Sequence, residues 1–254
     1  MHRRAVQLEG RSITVLSPRP SDRVRFATNR FHQTWHVLSD IGGGRYFGRL
    51  CWAMAYNRKP GTIVVINKPQ LTSSPFDGDP SLPILIADRS SGVPKPAGLA
   101  ALRKQLAKPV SPDGTVKLQT HGLDRYADGQ RDFMEDRRNQ QHFWKPANGW
   151  IKHSRGFIVL TAPPPVLRQW GYELTTLGDP LYSGQDHRYL EFSRKQRVEQ
   201  FWPEGEVQVF AQFHRMVSEA RQERRRLFPN RDHELLKPEE RALIYQALAE
   251  RSRV

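Results

Sequence analysis

Residues 23–67 read RVRFATNRFHQTWHVLSDIGGGRYFGRLCWAMAYNRKPGTIVVIN, and three signals follow one another within them. Arginine, histidine and aromatic side chains come first, a run of three glycines then opens an apolar segment over 45–56, and a β-branched run follows at 62–66. Apolar side chains in the middle segment recur every three or four residues, which is typical of one helix face. They are Phe47, Leu50, Cys51 and Met54. The stretch therefore predicts a basic loop, a helix and a buried strand.

The glycine run at 42–44 has two interpretations. Glycines before a helix leave its first N–H groups unscreened, and such groups can receive an anion such as phosphate. The spacing matches neither a Walker loop nor GxGxxG, so a flexible turn without a ligand is the alternative. Arg45 and Arg49 lie one turn apart at the start of the predicted helix and are candidate phosphate contacts.

The composition predicts a modest core and no membrane segment. Of the 254 residues 37% are hydrophobic, no run of eighteen apolar residues occurs, and the N-terminal MHRRAVQLEGR lacks the apolar centre of a signal peptide. We therefore expect a soluble, cytoplasmic protein with no membrane partner. The single cysteine, Cys51, excludes an internal disulfide and a cysteine zinc cage, and we expect it in the core.

Positive charge is concentrated in the front and middle of the chain. The net charge is +14; residues 1–60 hold 11 Lys and Arg against 3 Asp and Glu, and residues 95–155 hold 12 against 6. The last 69 residues are nearly balanced, with 14 against 12. Of the 40 basic residues 30 are arginine, whose guanidinium suits bidentate phosphate contact and stacking on bases. This pattern predicts a polyanionic partner.

The order of predicted elements indicates an α+β chain. Strands are predicted at 12–16, 62–66, 84–87 and 156–161. Helices are predicted at 45–56, 99–106, 207–228 and 238–249. The predicted domains are an α/β core over 1–98 and 150–185, a basic helical insertion over 99–149, and a helical C-terminal region over 186–254.

The segment 123–144 is polar and mostly composed of helix-forming residues. A helix this polar does not belong in a core, so it is either a solvated insertion or an arm that lies on a charged partner. Trp144 at its end and Trp150 beyond it are close in sequence to cations, which is typical of surfaces that bind nucleic acid. Both interpretations stay open.

No motif for metal-dependent hydrolysis is present. The chain lacks HExxH, the paired aspartates of a two-metal nuclease and the GxSxG nucleophile elbow, so we expect no metal and no other cofactor. RNA supplies its own nucleophile, the 2′-hydroxyl, and a protein can cleave it with histidines and arginines alone. His32 and His36 would share one side of a helix if 31–38 were helical. Either could act in catalysis, or His36 could pack while His32 is exposed. Tyr46 is a candidate for orienting the phosphate, or else a core residue.

The succession of strand, basic loop and helix, two strands, inserted basic helices and strand resembles the βαββαβ ferredoxin-like domain of the RAMP superfamily. It looks most like the CRISPR repeat-processing endoribonucleases, and the stretch 99–138 is similar to the arginine-bearing arm of their type IV branch. The resemblance covers about residues 12–160. The family's glycine-rich loop is represented only by the fragment Ser154-Arg155-Gly156-Phe157.

The resemblance implies metal-independent cleavage of a CRISPR repeat hairpin and retention of the product in an effector complex. It implies catalytic roles for the matching positions, which are Arg23, His32, His36 and Tyr46. The expected partner is therefore structured RNA, with other subunits of a ribonucleoprotein complex as further partners.

The second hypothesis is a nucleic-acid-binding protein without catalysis, such as an effector-complex subunit or a plasmid replication or partition factor. Both hypotheses assign RNA contacts to the same cations. These are Arg25, Arg30, Arg45, Arg49, Arg103, Lys104, Lys108, Arg125, Arg131, Arg137, Arg138, Lys145, Lys152 and Arg155.

Overall fold

The computed structural model describes residues 1–31, 33–89, 92–108, 111–129, 132–133, 135–136, 149–180, 184–190 and 205–251. Its strands are β1 (His2–Leu8), β2 (Arg11–Ser17), β3 (Phe26–Phe31), β4 (Thr34–Ser39), β5 (Thr62–Ile66), β6 (Ile84–Asp88), β7 (Gly114–Thr115), β8 (Trp150–Ser154), β9 (Phe157–Ala162), β10 (His187–Tyr189) and β11 (Gly205–Val209). Its helices are α1 (Ile41–Ala55), α2 (Pro96–Leu106), α3 (Leu123–Ala127), α4 (Pro164–Thr175), α5 (Phe213–Leu227) and α6 (Pro238–Arg251). The fold class is α+β, as the sequence predicted.

Seven strands form the larger of two sheets, in the order β7-β1-β2-β5-β6-β9-β8. β2 runs parallel to β5 and β6 parallel to β9, whereas the other neighbours are antiparallel. Every residue of β5, β6 and β9 is buried, because helices cover both faces of the sheet. Burial on both faces explains why these strands read as continuous apolar runs.

The ferredoxin-like arrangement is not confirmed. The order β2, α1, β5, β6, α2, β9 does follow the βαββαβ scheme. However, β2 and β5, which α1 connects, are direct neighbours, and so are β6 and β9. A split βαβ unit would instead place another strand between the two that a helix connects.

Both faces of the larger sheet carry apolar clusters. On one face Phe47 and Met54 of α1 and Trp170 of α4 pack against the sheet. On the opposite face Leu99 and Leu102 of α2 pack against residues of β1, β2, β5, β6 and β9. The helix α2 is therefore part of the core, although the predicted domain boundaries assigned it to the insertion.

The smaller sheet has the order β10-β11-β4-β3, and β11 runs parallel to β4. Its inner face, with Val37 and Val207, joins the cluster under α1. Its outer face, with Ala27 and Leu38, packs against Phe213 of α5. The C-terminal region thus contributes two strands as well as helices, and the helix predicted over 207–228 is wrong at its start, where β11 lies.

α1 and α4 cross closely because each has a glycine at the contact. A Cβ on Gly171 would lie 2.9 Å from the backbone nitrogen of Trp52, and a Cβ on Gly48 would lie 2.7 Å from the carbonyl oxygen of Gly171. Real Cβ atoms do not approach that closely, so neither position accepts a side chain without moving a helix. The segment 166–184, which the sequence left unassigned, supplies α4.

The glycine run belongs to the first turn of α1 rather than to a loop before it. The side chain of Asp40 caps the helix, and its Oδ1 accepts a hydrogen bond from Gly43 N at 2.6 Å. A Cβ on Gly44 would lie 2.6 Å from a methyl carbon of Val209, so close packing explains this glycine. A carboxylate therefore occupies the position that the phosphate interpretation reserved for a ligand.

The basic loop predicted over the first part of 23–67 contains a β-hairpin. β3 and β4 pair antiparallel, from Phe26 opposite Ser39 to Phe31 opposite Thr34. The helix considered over 31–38 is therefore wrong, since Thr34–Ser39 is a strand. The sequence also missed β1, which pairs with β2 through a tight turn in which Glu9 and Gly10 both have positive φ.

None of the helices in the described ranges is both long and apolar enough to cross a membrane.

Candidate nucleic-acid interface

A cavity of about 650 Å³ opens between three parts of the chain. One wall is the loop 67–83 that connects β5 to β6, the second is the C-terminal end of α2, and the third is α5 with the segment that follows it. Phe157, the first residue of β9, also contributes to the lining. The cavity therefore lies where the larger sheet meets the C-terminal helices.

Cations outnumber carboxylates in the lining of this cavity, which we call the basic cavity. Among the described residues that line it, five are Lys or Arg and one is a carboxylate. The cations are Lys68, Arg103, Arg221, Arg224 and Arg225, the carboxylate is Asp232, and His233 is exposed at the wall. An excess of this kind produces a positive potential that attracts phosphate groups.

Three of these cations differ from Arg224 and Arg225 in their partners. Arg221 Nε donates to the neutral hydroxyl of Ser73 at 3.0 Å. Within the described part of the chain, no salt bridge involves Lys68, Arg103 or Arg221, whereas Arg225 pairs with Asp232 at 3.2 Å. Lys68, Arg103 and Arg221 are all exposed, so their charges are accessible to a ligand.

Arg224 has a different role, because it holds the cavity wall together. Only 1% of Arg224 is exposed, and its Nη1 donates to Asp79 Oδ1 at 2.5 Å. Its Nη2 donates to the carbonyl oxygens of Arg231 and Glu234 at 2.6 and 2.5 Å. Asp79 also accepts from Leu236 N at 3.2 Å. We call this network the clasp, since it fixes α5 and the following segment to the loop 67–83.

Burial raises the pKa of the Asp79 carboxyl, and the nearby Asp77 carboxylate adds to this increase, while hydrogen bonds from Arg224 and Leu236 oppose it. Asp77 in turn accepts from Tyr245 Oη of α6 at 3.3 Å. Burial, and after it Asp77, raises the pKa of Tyr245, so this hydroxyl stays protonated as a donor. The last helix is thereby tied to the same loop.

The remaining lining combines hydroxyls with apolar groups. Thr72, Ser73 and Ser81 are hydroxyl residues at the wall, and Leu71 and Leu106 are among the apolar ones. The volume lies in the range of ligand sites, about 300–1,000 Å³. Charge for a phosphate, hydroxyls for a sugar and apolar surface for a base together suit a nucleotide unit.

Of the predicted RNA contacts, Arg103 lines the basic cavity. Lys104 and Lys108 are exposed at the same end of α2. Lys152 is exposed on β8, and Arg155 is exposed in the turn between β8 and β9.

Other predicted contacts lie elsewhere and have intramolecular partners. Arg45 pairs with Asp179 at 3.1 Å, and Arg49 pairs with Asp124 at 2.8 Å on the outer side of α1. Arg25 donates to backbone carbonyl oxygens of its own loop, and the Arg30 guanidinium lies 5.8 Å from the centre of the Trp35 ring. Arg125 is exposed on α3. Arg131, Arg137, Arg138 and Lys145 lie outside the described residues.

The polar segment that begins at 123 is anchored at its start. Leu123 and Phe133 are buried against Trp52 of α1, and the Phe133 ring stacks on Tyr172 of α4 at 4.6 Å. The beginning of this segment is therefore packed on the core, and its later part, 137–144, lies outside the described residues.

His36 lies in a row of polar residues across the smaller sheet. Asn29 on β3, His36 on β4 and Glu206 on β11 are register partners. His36 Nε2 lies 3.2 Å from Glu206 Oε2, and its Nδ1 lies 3.1 Å from Asn29 Oδ1. All three residues are at most 9% exposed. A carboxylate that orients an imidazole is common in acid–base catalysis, but here both ring nitrogens are already engaged.

Of the other predicted catalytic residues, Tyr46 and Arg23 do not belong to this row. Tyr46 Oη donates to Oδ2 of Asp22, which lies in the loop between β2 and β3, at 3.0 Å. Burial, and after it Asp22, raises the pKa of Tyr46, which keeps the hydroxyl protonated. Arg23 is exposed in the loop between β2 and β3, and His32 lies outside the described residues.

Cys51 is buried in the main core, as predicted, and burial raises the pKa of its thiol to about 12. Among the described residues, no group of three His, Cys, Asp or Glu side chains could hold a metal ion.

Sequence reasoning missed most of the basic cavity. Lys68 follows a strand without any local signal, and Arg221 and Arg225 lie in a region whose charge is nearly balanced overall. The cluster Arg224-Arg225-Arg226 was the available signal, but sequence alone could not separate the buried Arg224 from its exposed neighbours.

Comparisons with protein-family models, with curated protein sequences and with solved structures gave no match.

Proposed function

We propose that this protein binds RNA and that the basic cavity receives the phosphates. One observation carries the proposal: three exposed cations, Lys68, Arg103 and Arg221, line one cavity, and none of them forms a salt bridge with a carboxylate of the described ranges. Concentrating like charges in one place costs free energy in the absence of a ligand. A bound polyanion removes this cost and releases its own counterions.

The chemistry of the cavity favours a nucleic acid over a simple anion. Two of the three unbalanced cations are arginines, which can make bidentate contacts with phosphate. Hydroxyl and apolar groups line the same space. The whole chain adds a long-range attraction, since its net charge is +14.

Binding is tested with a labelled RNA hairpin and fluorescence anisotropy over a series of salt concentrations. We expect the double variant Lys68→Ala/Arg221→Ala to bind at least about tenfold more weakly. The slope of log affinity against log salt should fall by about one for each phosphate contact removed. The matched control is Arg215→Ala, on the same helix, because Arg215 is exposed, pairs with Glu219 and does not line the cavity. Equal affinity and slope in the double variant and the control would refute the proposal.

Metal-independent cleavage of the bound RNA is a second candidate function, and the row Asn29, His36 and Glu206 favours it. Glu206 Oε2 lies 3.2 Å from His36 Nε2 and orients the imidazole, as a general acid or base requires. Because Nδ1 faces Asn29, this contact must open before His36 can exchange a proton with RNA. Arg23 is the exposed cation proposed to stabilise the charged phosphorane.

The same binding samples, kept in EDTA, provide the test of cleavage. We expect a product from the hairpin and none when a 2′-deoxy nucleotide replaces the one at the cut. His36→Gln should slow cleavage while leaving binding unchanged. Tight binding without any product would leave the protein as a non-catalytic RNA-binding protein.

The narrowest proposal is that the RNA is a CRISPR repeat hairpin and that the protein retains the product with other subunits of a complex. Its support is the resemblance in element order from β2 to β9. The alternative is a non-catalytic effector subunit or a plasmid replication or partition factor. A repeat hairpin that binds no more tightly than a scrambled hairpin of equal length would favour the alternative.

A further inference from the structure

We infer that a single-stranded nucleic acid bound in the basic cavity extends along strand β8, on the α2 side of the sheet. One of its unpaired bases stacks on a side chain of this strand. This inference rests on the proposed function and extends it to the form of the ligand. The side chain on which the base stacks is Trp150.

The side chains of β8 alternate between the two faces of the larger sheet. Residues directly opposite in an antiparallel pair point to the same face. Ser154, Lys152 and Trp150 are opposite Phe157, Val159 and Thr161 of β9. Because Phe157 and Val159 belong to the apolar cluster under α2, the three β8 residues point to the α2 side of the sheet. We call these three residues the β8 strip.

The β8 strip is continuous with the basic cavity. Phe157 and Arg103 line the cavity, and the Arg103 guanidinium packs against Gly156 in the turn between β8 and β9. The β8 strip begins at this turn. From Ser154 to Trp150 it extends about 13 Å, at about 3.3 Å for each residue of a strand.

The end of the β8 strip that is farthest from the cavity carries an aromatic ring and a cation. Trp150 is 42% exposed, and the Arg89 guanidinium lies 4.0 Å from the centre of its ring. Lys152, between Trp150 and the cavity, is exposed. An exposed indole flanked by cations is the arrangement that binds single strands, where the ring stacks on a base and the cations contact phosphates.

A ligand that is confined to the basic cavity is too short to contact Trp150 as well. A strand with bases stacked at about 3.4 Å needs about four nucleotides to cover 13 Å. A mononucleotide in the cavity therefore cannot reach Trp150. A duplex does not fit the inference either, since its bases are paired and stacked on each other.

The test uses labelled, unstructured RNA and DNA oligonucleotides of about twelve nucleotides in an anisotropy titration of the full-length protein. We expect Trp150→Ala to weaken binding by about 5- to 150-fold, the range found for loss of one stacked base. Trp150→Phe should retain most of the affinity. The matched control is Tyr189→Ala, which removes an aromatic residue that is 50% exposed on the other sheet, and it should bind like the wild type.

A competition arm separates the strip from the cavity. Uridine monophosphate should displace the oligonucleotide only weakly from the wild type, and its own affinity should be the same for Trp150→Ala. If thermal melting shows that Trp150→Ala does not fold, Lys152→Glu tests the same strip and should also weaken oligonucleotide binding at least about tenfold.

The outcomes distinguish the two claims. A loss of affinity in the RNA arm, the DNA arm or both supports the stacking site and identifies the polymer that it takes. Wild-type affinity of a folded Trp150→Ala for both polymers overturns the inference, and the proposed function stands if Lys68→Ala/Arg221→Ala still weakens binding. If the wild type binds neither oligonucleotide nor hairpin, the proposed function itself fails.

Discussion

Arg221 and Arg224 lie on the same helix, three residues apart, and the structure gives them opposite environments. Arg224 is 1% exposed and donates hydrogen bonds to Asp79 and to two backbone carbonyls. Arg221 is exposed and donates to a serine hydroxyl. Burial and pairing make Arg224 a structural element of the clasp, whereas Arg221 has no carboxylate partner in the part of the chain that the structure describes, so its charge is accessible to a ligand. The type of residue alone does not decide between these roles.

The clasp also explains how a cavity with so many cations can keep its shape. The loop 67–83 has no helix or strand of its own, so contacts with other parts of the chain must hold it. Arg224, Leu236 and Tyr245 provide them through Asp79 and Asp77. The C-terminal helices therefore position the part of the loop around Asp77 and Asp79, while backbone hydrogen bonds with Phe26 of β3 hold the part nearer to Lys68.

The largest effect should come from breaking the clasp. Arg224→Ala leaves the Asp79 carboxylate buried with Arg241 as its remaining charged partner, at 3.3 Å. Removing one partner of a buried ion pair costs about 3–5 kcal/mol in the free energy of unfolding. For a chain of this size we expect the melting temperature to fall by about 6–12 °C.

The paired control for this prediction is Arg221→Ala. It should change the free energy of unfolding by less than about 0.5 kcal/mol, as exposed substitutions usually do. Similar melting temperatures for the two variants would show that the clasp does not stabilise the fold and that the contrast between the two arginines is false.

A smaller effect should appear in the local stability of α6 as the pH is changed. The hydrogen bond from Arg231, followed by that from Lys237 N, lowers the pKa of Glu240 in the folded protein. A carboxyl with a lowered folded pKa stabilises the fold above its unfolded pKa and loses this contribution as pH falls. We expect amide exchange in α6 to accelerate as pH is lowered from about 6 to 3, after correction for intrinsic rates.

Glu240→Gln is the matched variant for the pH prediction, since it keeps the shape of the side chain without the titration. Its α6 should exchange faster than that of the wild type at pH 6, and its protection should change less between the two pH values. An identical pH dependence in the variant would assign the effect to another carboxylate.

Local sequence patterns predicted the central elements of the fold. The runs that became β5, β6 and β9 are apolar because both sheet faces are covered, and a single stretch of sequence contains that signal. The helix α1 was predicted from the spacing of Phe47, Leu50 and Met54, all of which are buried. Its start was placed too late, because glycines at 42–44 suggested a loop.

The smaller sheet was not predictable in the same way. β3 and β4 contain Asn29, Arg30 and His36, and these polar residues conceal the strand pattern. The two strands pair with each other as a hairpin, but β4 also pairs with β11, which is far away in the sequence. The basic cavity had the same difficulty, because Lys68, Arg103 and Arg221 meet only through the tertiary fold.

If RNA phosphates lie in the basic cavity, the bound strand must contact the residues that line it. Photo-crosslinking of 4-thiouridine RNA followed by peptide mass spectrometry would locate the bound strand. We predict crosslinks within 67–83 and 221–233, and their loss in Lys68→Ala/Arg221→Ala. Crosslinks confined to the outer side of α1, near Arg45 and Arg49, would contradict the account.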